Sequence, residues 1–328
     1  MEIRLPRSEA AGDLDLKFHN ARGGLVDAFR IRVGGNTPAP VVEARGQLRI
    51  EERQNLADEA SRIIGDGFEV AFSRTRGLLR YALAGSRTVL YAAPHVRVSP
   101  IPDTVSWFPQ PDTWRQTGPL EIGKAGDAFT ATVRGAYPNL SGLYRTTVTP
   151  GGEVRIEYAF EYSGPDVRAR EIGLHLSASL ACDTLEWTRR GEWTSYPEDH
   201  IGAAHGVARA HSGHPPGQPD WAYGEDDSDL GTNAFRSTKR NFLSAFLHDA
   251  IGAGADFESD GSQHFRATVE PDRIAIQVSD WFGGTSSQAG EWISNYGDGK
   301  VLHTGDEIRG AVRLRLSPGR HPEMRAAR

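Results

Sequence analysis

One cysteine stands among 328 residues, so no disulfide can close within the chain. It sits in the apolar run Leu180-Ala181-Cys182 and reads as a packed core thiol, with a reactive thiol as the alternative. Long hydrophobic runs are also missing. No stretch approaches the roughly 20 apolar residues of a membrane helix, and Met1 to Gly12 is charged without an apolar centre, so no signal peptide is visible. The expectation is a cytoplasmic chain with no membrane partner. Nor is there an excess of positive charge: 37 basic residues face 43 acidic ones, for a net charge of −6. A nucleic-acid or anionic-membrane binder would show a basic face, so neither partner is expected. Heptads, long amphipathic helices, phosphate-cradling glycine loops, fixed-period repeats and the G-x-S-x-G nucleophile elbow are all absent from the sequence.

What is abundant is glycine (37) and proline (19), punctuating short segments that alternate apolar and polar residues. Phe68 to Phe72, Thr130 to Val133, Val154 to Tyr158, Phe265 to Val269, Ile274 to Val278 and Val312 to Leu316 each place apolar groups on one face. That is the pattern of half-buried antiparallel strands, and many of them at close spacing predict a sandwich or barrel. Leu56 to Ile64 reads as a short helical turn, and Lys239 to Ala250 fits a helix or a strand. Residues 13–34 read as a hairpin followed by a Pro- and Gly-rich connector to Pro40. This gives an expected division into 1–40, a hairpin and linker, and 41–328, the main β domain. His205 to Gly231, rich in Gly, Pro, His and Asp, reads as a long surface loop.

Sugars present hydroxyl edges and C–H faces, so a site for them wants aromatics beside Arg, Asp and Glu. The run from Trp187 to His200 supplies that mixture, with Glu192, Trp193, Tyr196 and Asp199 as substrate-binding candidates. Its alternative is a strand end whose aromatics lie in the core. Arg236, in Asn233 to Asn241, is a further candidate, against a salt-bridged strand entry. Asp280-Trp281-Phe282-Gly283-Gly284, with Glu291-Trp292 beyond it, offers Trp281 and Trp292 as stacking platforms, against core packing. His205, His211 and His214 match no zinc spacing, and Glu225 to Asp229 lacks the glycine and terminal glutamate of a calcium loop. No metal and no cofactor are implied. Glu192, Asp199 and Asp280 are carboxylates a glycosidase could use, but spacing does not pair them, and no catalytic residue is assigned.

Glu171-Ile172-Gly173-Leu174-His175-Leu176, then Leu185-Glu186-Trp187, Arg190-Gly191 and Tyr196-Pro197 to Ala204, together resemble the fifth-domain or small-chain region of glycoside hydrolase family 2 β-galactosidases. Asn233 to Arg240 is similar to that family's "E-N-G-x-R" element, and Phe68 to Leu78 to the domain's opening strands. The similarity runs from about residue 66 to 316. It implies an all-β, galactose-mutarotase-like β-supersandwich, with the 13–34 hairpin as a remnant of a preceding immunoglobulin-like domain. The family's "Y-P-D-R" is Tyr196-Pro197-Glu198-Asp199-His200 here, and the Arg97 to Asp103 segment lacks the family's Asn-Asp pair.

The family's catalytic glutamates lie on a barrel domain that this sequence does not include. The resemblance therefore implies a carbohydrate-binding module or small chain that completes a sugar site with a barrel-bearing glycosidase domain or large subunit. Trp292 is its best-placed tryptophan and Trp281 the second. Two other readings stand beside it. One is a self-sufficient mutarotase- or lyase-like enzyme using His175, His200, Glu192 and Asp199 in a sandwich groove. The other is a non-catalytic carbohydrate-binding or structural module.

Overall fold

A computed structural model describes residues 12–33, 46–53, 59–101, 106–190, 204–211, 229–283 and 299–319. The strands are β1 (Gly12–His19), β2 (Leu25–Val33), β3 (Arg49–Arg53), β4 (Ala60–Gly65), β5 (Phe68–Ser73), β6 (Leu79–Ala84), β7 (Arg87–Tyr91) and β8 (His95–Pro100). Then come β9 (Arg115–Gln116), β10 (Glu121–Ala125), β11 (Ala128–Tyr137), β12 (Leu140–Val148), β13 (Glu153–Tyr162), β14 (Val167–Ala178), β15 (Thr184–Arg189) and β16 (His205–Arg209). The last are β17 (Phe242–His248), β18 (Ala253–Glu258), β19 (His264–Glu270), β20 (Arg273–Phe282), β21 (Lys300–Leu302) and β22 (Glu307–Pro318). Among the described residues the helices are the single turn α1 (Asn233–Arg236) and a 3-10 turn at Pro111–Thr113.

Two ten-stranded sheets carry the fold, with every recorded pairing antiparallel. The first runs β10-β11-β12-β13-β22-β18-β17-β15-β16, with β9 on β11. The second runs β19-β20-β14-β7-β6-β5-β4-β3, with β8 and β21 on β14. The alternating segments all become strands. In β13, for example, Val154, Ile156, Tyr158 and Phe160 are buried while Arg155 is exposed. Inward residues of both sheets meet in one cluster, Val70, Leu90 and Leu174 from the second with Tyr144, Phe160 and Leu314 from the first. This is the all-β supersandwich architecture that the strand pattern and the motifs lead one to expect.

Among the described residues β1 and β2 pair only with each other, as the 13–34 hairpin reading expects. Their turn is set by Asn20, whose side-chain oxygen accepts from the Arg22 and Gly24 amides, each at 2.9 Å, and by Gly23 at φ +80°.

Two expectations change and one open choice is decided. The helical turn over Leu56 to Ile64 is replaced, from Ala60 on, by β4. There Ala60, Ser61 and Ile63 are buried between the β3 and β5 ladders, and pairing on both edges outweighs local helix preference. Lys239 to Ala250 resolves as β17. The loop read over His205 to Gly231 begins instead as β16, paired in full with β15, and 212–228 lie outside the described residues. Cys182 is buried, and burial first, then Asp249 and Asp183, push its thiol up to about 12, so it is an inert core thiol.

Candidate functional site

On β14, Ile172, Leu174, Leu176 and Ala178 face the core, so Glu171, Gly173, His175 and Ser177 face the other way. The neighbouring strands alternate in phase. Val96 and Val98 of β8, Ile276 and Val278 of β20, and Phe265 and Ala267 of β19 are core residues. His95, Arg97 and Ser99, then Gln277 and Ser279, then His264 and Arg266, are therefore their outward partners. Register completes the picture. One row runs His95–His175–Gln277–Arg266 across four strands, and the next runs Arg97–Gly173–Ser279–His264. The outer face of the second sheet thus carries a polar block. His95 is nevertheless 6% exposed, His175 7% and Glu171 1%, so this is no ordinary solvated face.

Trp107 covers part of the block. Its ring stacks on His95 at 5.4 Å and lies 6.5 Å from His175, and the Arg97 guanidinium sits over it at 4.6 Å. The two imidazoles are 4.6 Å apart. Arg97 Nη1 lies 3.4 Å from His175 Nδ1. A guanidinium only donates, so Nδ1 accepts and the ring proton of His175 sits on Nε2. Burial, then the neighbouring His95 and Arg97, hold His175 well below the usual imidazole range. Burial first and Arg97 second bring His95 down to about 3, against a hydrogen bond to the Ala93 backbone that favours its charged form. A backbone bond that favours the charged ring is one the ring donates, and since Nε2 has no partner among the described residues the donor is assigned to Nδ1. The buried Nε2 of His95, without a partner among the described residues, then presents a bare lone pair.

Glu171 is the block's anion. Burial alone would raise its carboxyl. Arg266, the Ser279 hydrogen bond and Arg97 outweigh that and hold it below the usual range. Its Oε1 accepts from Ser279 Oγ and its Oε2 from Arg266 Nη2, each at 2.6 Å. Beside it, burial and Arg240 pull His264 down to about 4. Ser99 Oγ is also buried without a partner among the described residues. A floor of neutral imidazoles, hydroxyls and fixed charges under a tryptophan can bind a ligand that has both hydroxyls and an apolar face.

The residues singled out from sequence fall elsewhere or outside view. Trp292, Glu192, Trp193, Tyr196, Asp199 and His200 lie outside the described residues. Trp281 is 39% exposed, and its register partner is the core residue Ile172, on the strand side away from Glu171. Arg236 lies in α1 and donates to Asn233 Oδ1. Asp280 accepts from Tyr158 OH and from Gln263 Nε2, the latter at 2.8 Å. Trp187 is a core residue with the Lys239 ammonium 4.5 Å over its ring. Of the earlier candidates among the described residues, only His175 stands in the block. His95, Arg97, Trp107, Glu171, Arg266 and Gln277 went unread as site residues, the one signal being charged and imidazole groups in strands whose other face is apolar.

No family model matches the sequence, and no curated protein matches it either. Among solved structures the chain is similar to galactose 1-epimerase from Lactobacillus acidophilus NCFM, with TM-score 0.38 and 9% identity over 84% of this chain and 100% of that one. It is also similar to a galactose mutarotase related enzyme from Lactobacillus acidophilus, with TM-score 0.42 and 8% identity over 78% and 97%. A third likeness is to a TPR-domain containing protein from Parabacteroides distasonis ATCC 8503, with TM-score 0.45 and 11% identity over 80% and 47%. At these TM-scores and identities the likeness assigns no residue a role and gives the chain no activity.

Proposed function

We propose that this chain handles carbohydrate on the outer face of its second sheet, with His95, His175, Arg97, Glu171 and Gln277 as the floor and Trp107 as the wall. One observation carries the reading: the bare Nε2 of His95, buried beside a second neutral imidazole and against an indole face. A sugar hydroxyl can donate to that lone pair while its C–H face lies on Trp107. Titration of the purified chain with galactose and glucose, read by calorimetry, tests it. Binding that weakens about tenfold or more in Trp107→Ala and His95→Ala is the expected result. Absence of binding to any sugar would sink the reading.

The same lone pair favours a second reading, catalysis of anomerisation, since it can take a proton from an anomeric hydroxyl. Its low basicity makes it a weak base, so binding is the first reading. Polarimetry of freshly dissolved α-galactose separates the two: a faster approach to equilibrium that His95→Ala abolishes makes the chain an enzyme.

A finer placing rests on the β-galactosidase-like motifs and on the separate β1–β2 hairpin. In it the chain is the module that completes a glycosidase site built mainly by a barrel domain, and 1–40 belongs to the domain before it. The chain alone is then silent on nitrophenyl galactosides. Hydrolysis by the purified chain overturns that placing.

A further inference from the structure

The polar block holds more positive charge than its own carboxylates use. Arg97 is mostly buried, which, ahead of the effects of its neighbours, pulls its guanidinium down to about 10. The carboxylates that favour its charge are Glu171 and Glu270, and the cations that oppose it are Arg266 and Arg170. Both carboxylates are engaged elsewhere. Glu171 binds Arg266 and Ser279 with its two oxygens, and Glu270 binds Arg273 Nε at 2.8 Å. Among the described residues no carboxylate lies within ion-pair distance of Arg97. Among those residues its contacts are the Trp107 ring and the neutral His175, and its buried Nε has no partner there.

A half-buried guanidinium with no counter-anion among the described residues is costly, because charges taken out of water need a partner of opposite sign. The way Arg97 is held leaves room for one. The guanidinium carbon sits 4.6 Å over the Trp107 ring, and of its rim of N–H donors Nη1 points at His175 while Nε has no partner among the described residues. That rim matches the two oxygens of a carboxylate or the oxygens of a phosphate.

We infer that the site takes an anionic sugar, one whose carboxylate or phosphate group lies on Arg97 while its ring hydroxyls reach His95 and Gln277. This rests on the carbohydrate reading of the same block. A uronate and a sugar phosphate present the same oxyanion chemistry to a guanidinium.

Calorimetry at low salt with galactose, galacturonate, methyl galacturonate and galactose 6-phosphate tests the inference on the wild-type chain. At least one anionic sugar should bind tenfold or more tighter than galactose, and the neutral methyl ester should fall back to the galactose level. A gain for galacturonate assigns a carboxylate, and a gain for the 6-phosphate assigns a phosphate ester. Arg97→Gln should abolish the gain, and Arg97→Lys should keep part of it. If Arg97→Gln does not fold, the wild-type comparison with the methyl ester and the lysine variant still decide. Equal affinity for galactose and both anionic sugars overturns the inference while leaving the carbohydrate site standing. So does an ester that binds as tightly as the acid, or a gain that survives in Arg97→Gln. If none of the four sugars binds, both readings fall.

Discussion

Glu171 is 1% exposed and ionised, and that combination survives only because both of its oxygens are occupied. Removing Arg266 leaves a buried carboxylate with one hydroxyl to satisfy it. Breaking a buried pair from one side costs about 3–5 kcal/mol, far more than the pair contributes relative to its absence. Arg266→Ala is therefore expected to lower unfolding stability by about 3 kcal/mol in urea titrations. The double variant Glu171→Ala/Arg266→Ala should lose clearly less than the two single losses added together, since no charge is then stranded. Additive losses would show that the two side chains act independently. Arg97 differs in kind. No carboxylate of the described residues pairs with its charge, so its truncation should cost little stability and show in binding.

At the scale of elements, β14 organises the site, and Gly173 is its critical position. The ladder shifts register between Ile172 and Gly173, a bulge of the sort that re-aims side chains beside a site. A Cβ on Gly173 would stand 2.1 Å from the Val278 carbonyl oxygen and 2.5 Å from Ser279 Cα, and backbone does not give way as a side chain does. Gly173→Ala is expected to cost about 1–3 kcal/mol as an overpacked strand contact. Faster amide exchange should then appear along β20 at Gln277 and Ser279. Gly123→Ala in β10 is the control, because nothing lies within 4 Å of the added methyl, and its effect should stay within about 0.5 kcal/mol. Most strands were legible beforehand, since alternation in stretches such as Val154 to Tyr158 directly records one dry face. β4 was not, because Ser61-Arg62-Ile63-Ile64 has no clean period and takes its conformation from β3 and β5. The polar block was not legible either. It is built by β8, β14, β19 and β20, and within each strand a histidine or arginine between apolar residues looks like any group facing water. Only register shows that four such positions lie side by side and that they are buried.

At the scale of the whole molecule, the block makes the fold sensitive to acid. His95 titrates at about 3 and His264 at about 4 in the folded chain, and His175 lies well below its usual value, burial being the first cause in all three. Their folded values are depressed, so the fold favours the neutral rings. Below about pH 6.5 the unfolded chain binds protons that the folded chain refuses, and stability falls by about 1.4 kcal/mol per pH unit for each histidine involved. Asp256 works in the opposite direction. Burial and Glu258 raise it to about 6, so the folded chain takes up one proton early and recovers part of the loss. Lys239, lowered to about 7 chiefly by burial, is charged in both states below that pH and adds no slope there. Asp280, raised chiefly by burial, adds a second uptake, and three refusals against two still leave a net loss as pH falls from 6.5 toward 4.5. Urea unfolding at pH 7, 6 and 5 should therefore show a steadily falling unfolding free energy. His95→Gln should flatten the profile by about 1.4 kcal/mol per pH unit, because glutamine binds no proton in either state. A profile that stays level across this range, or one that His95→Gln leaves unchanged, would mean that the imidazoles are not held neutral by burial. The bare lone pair on which the carbohydrate reading rests would then be lost with it.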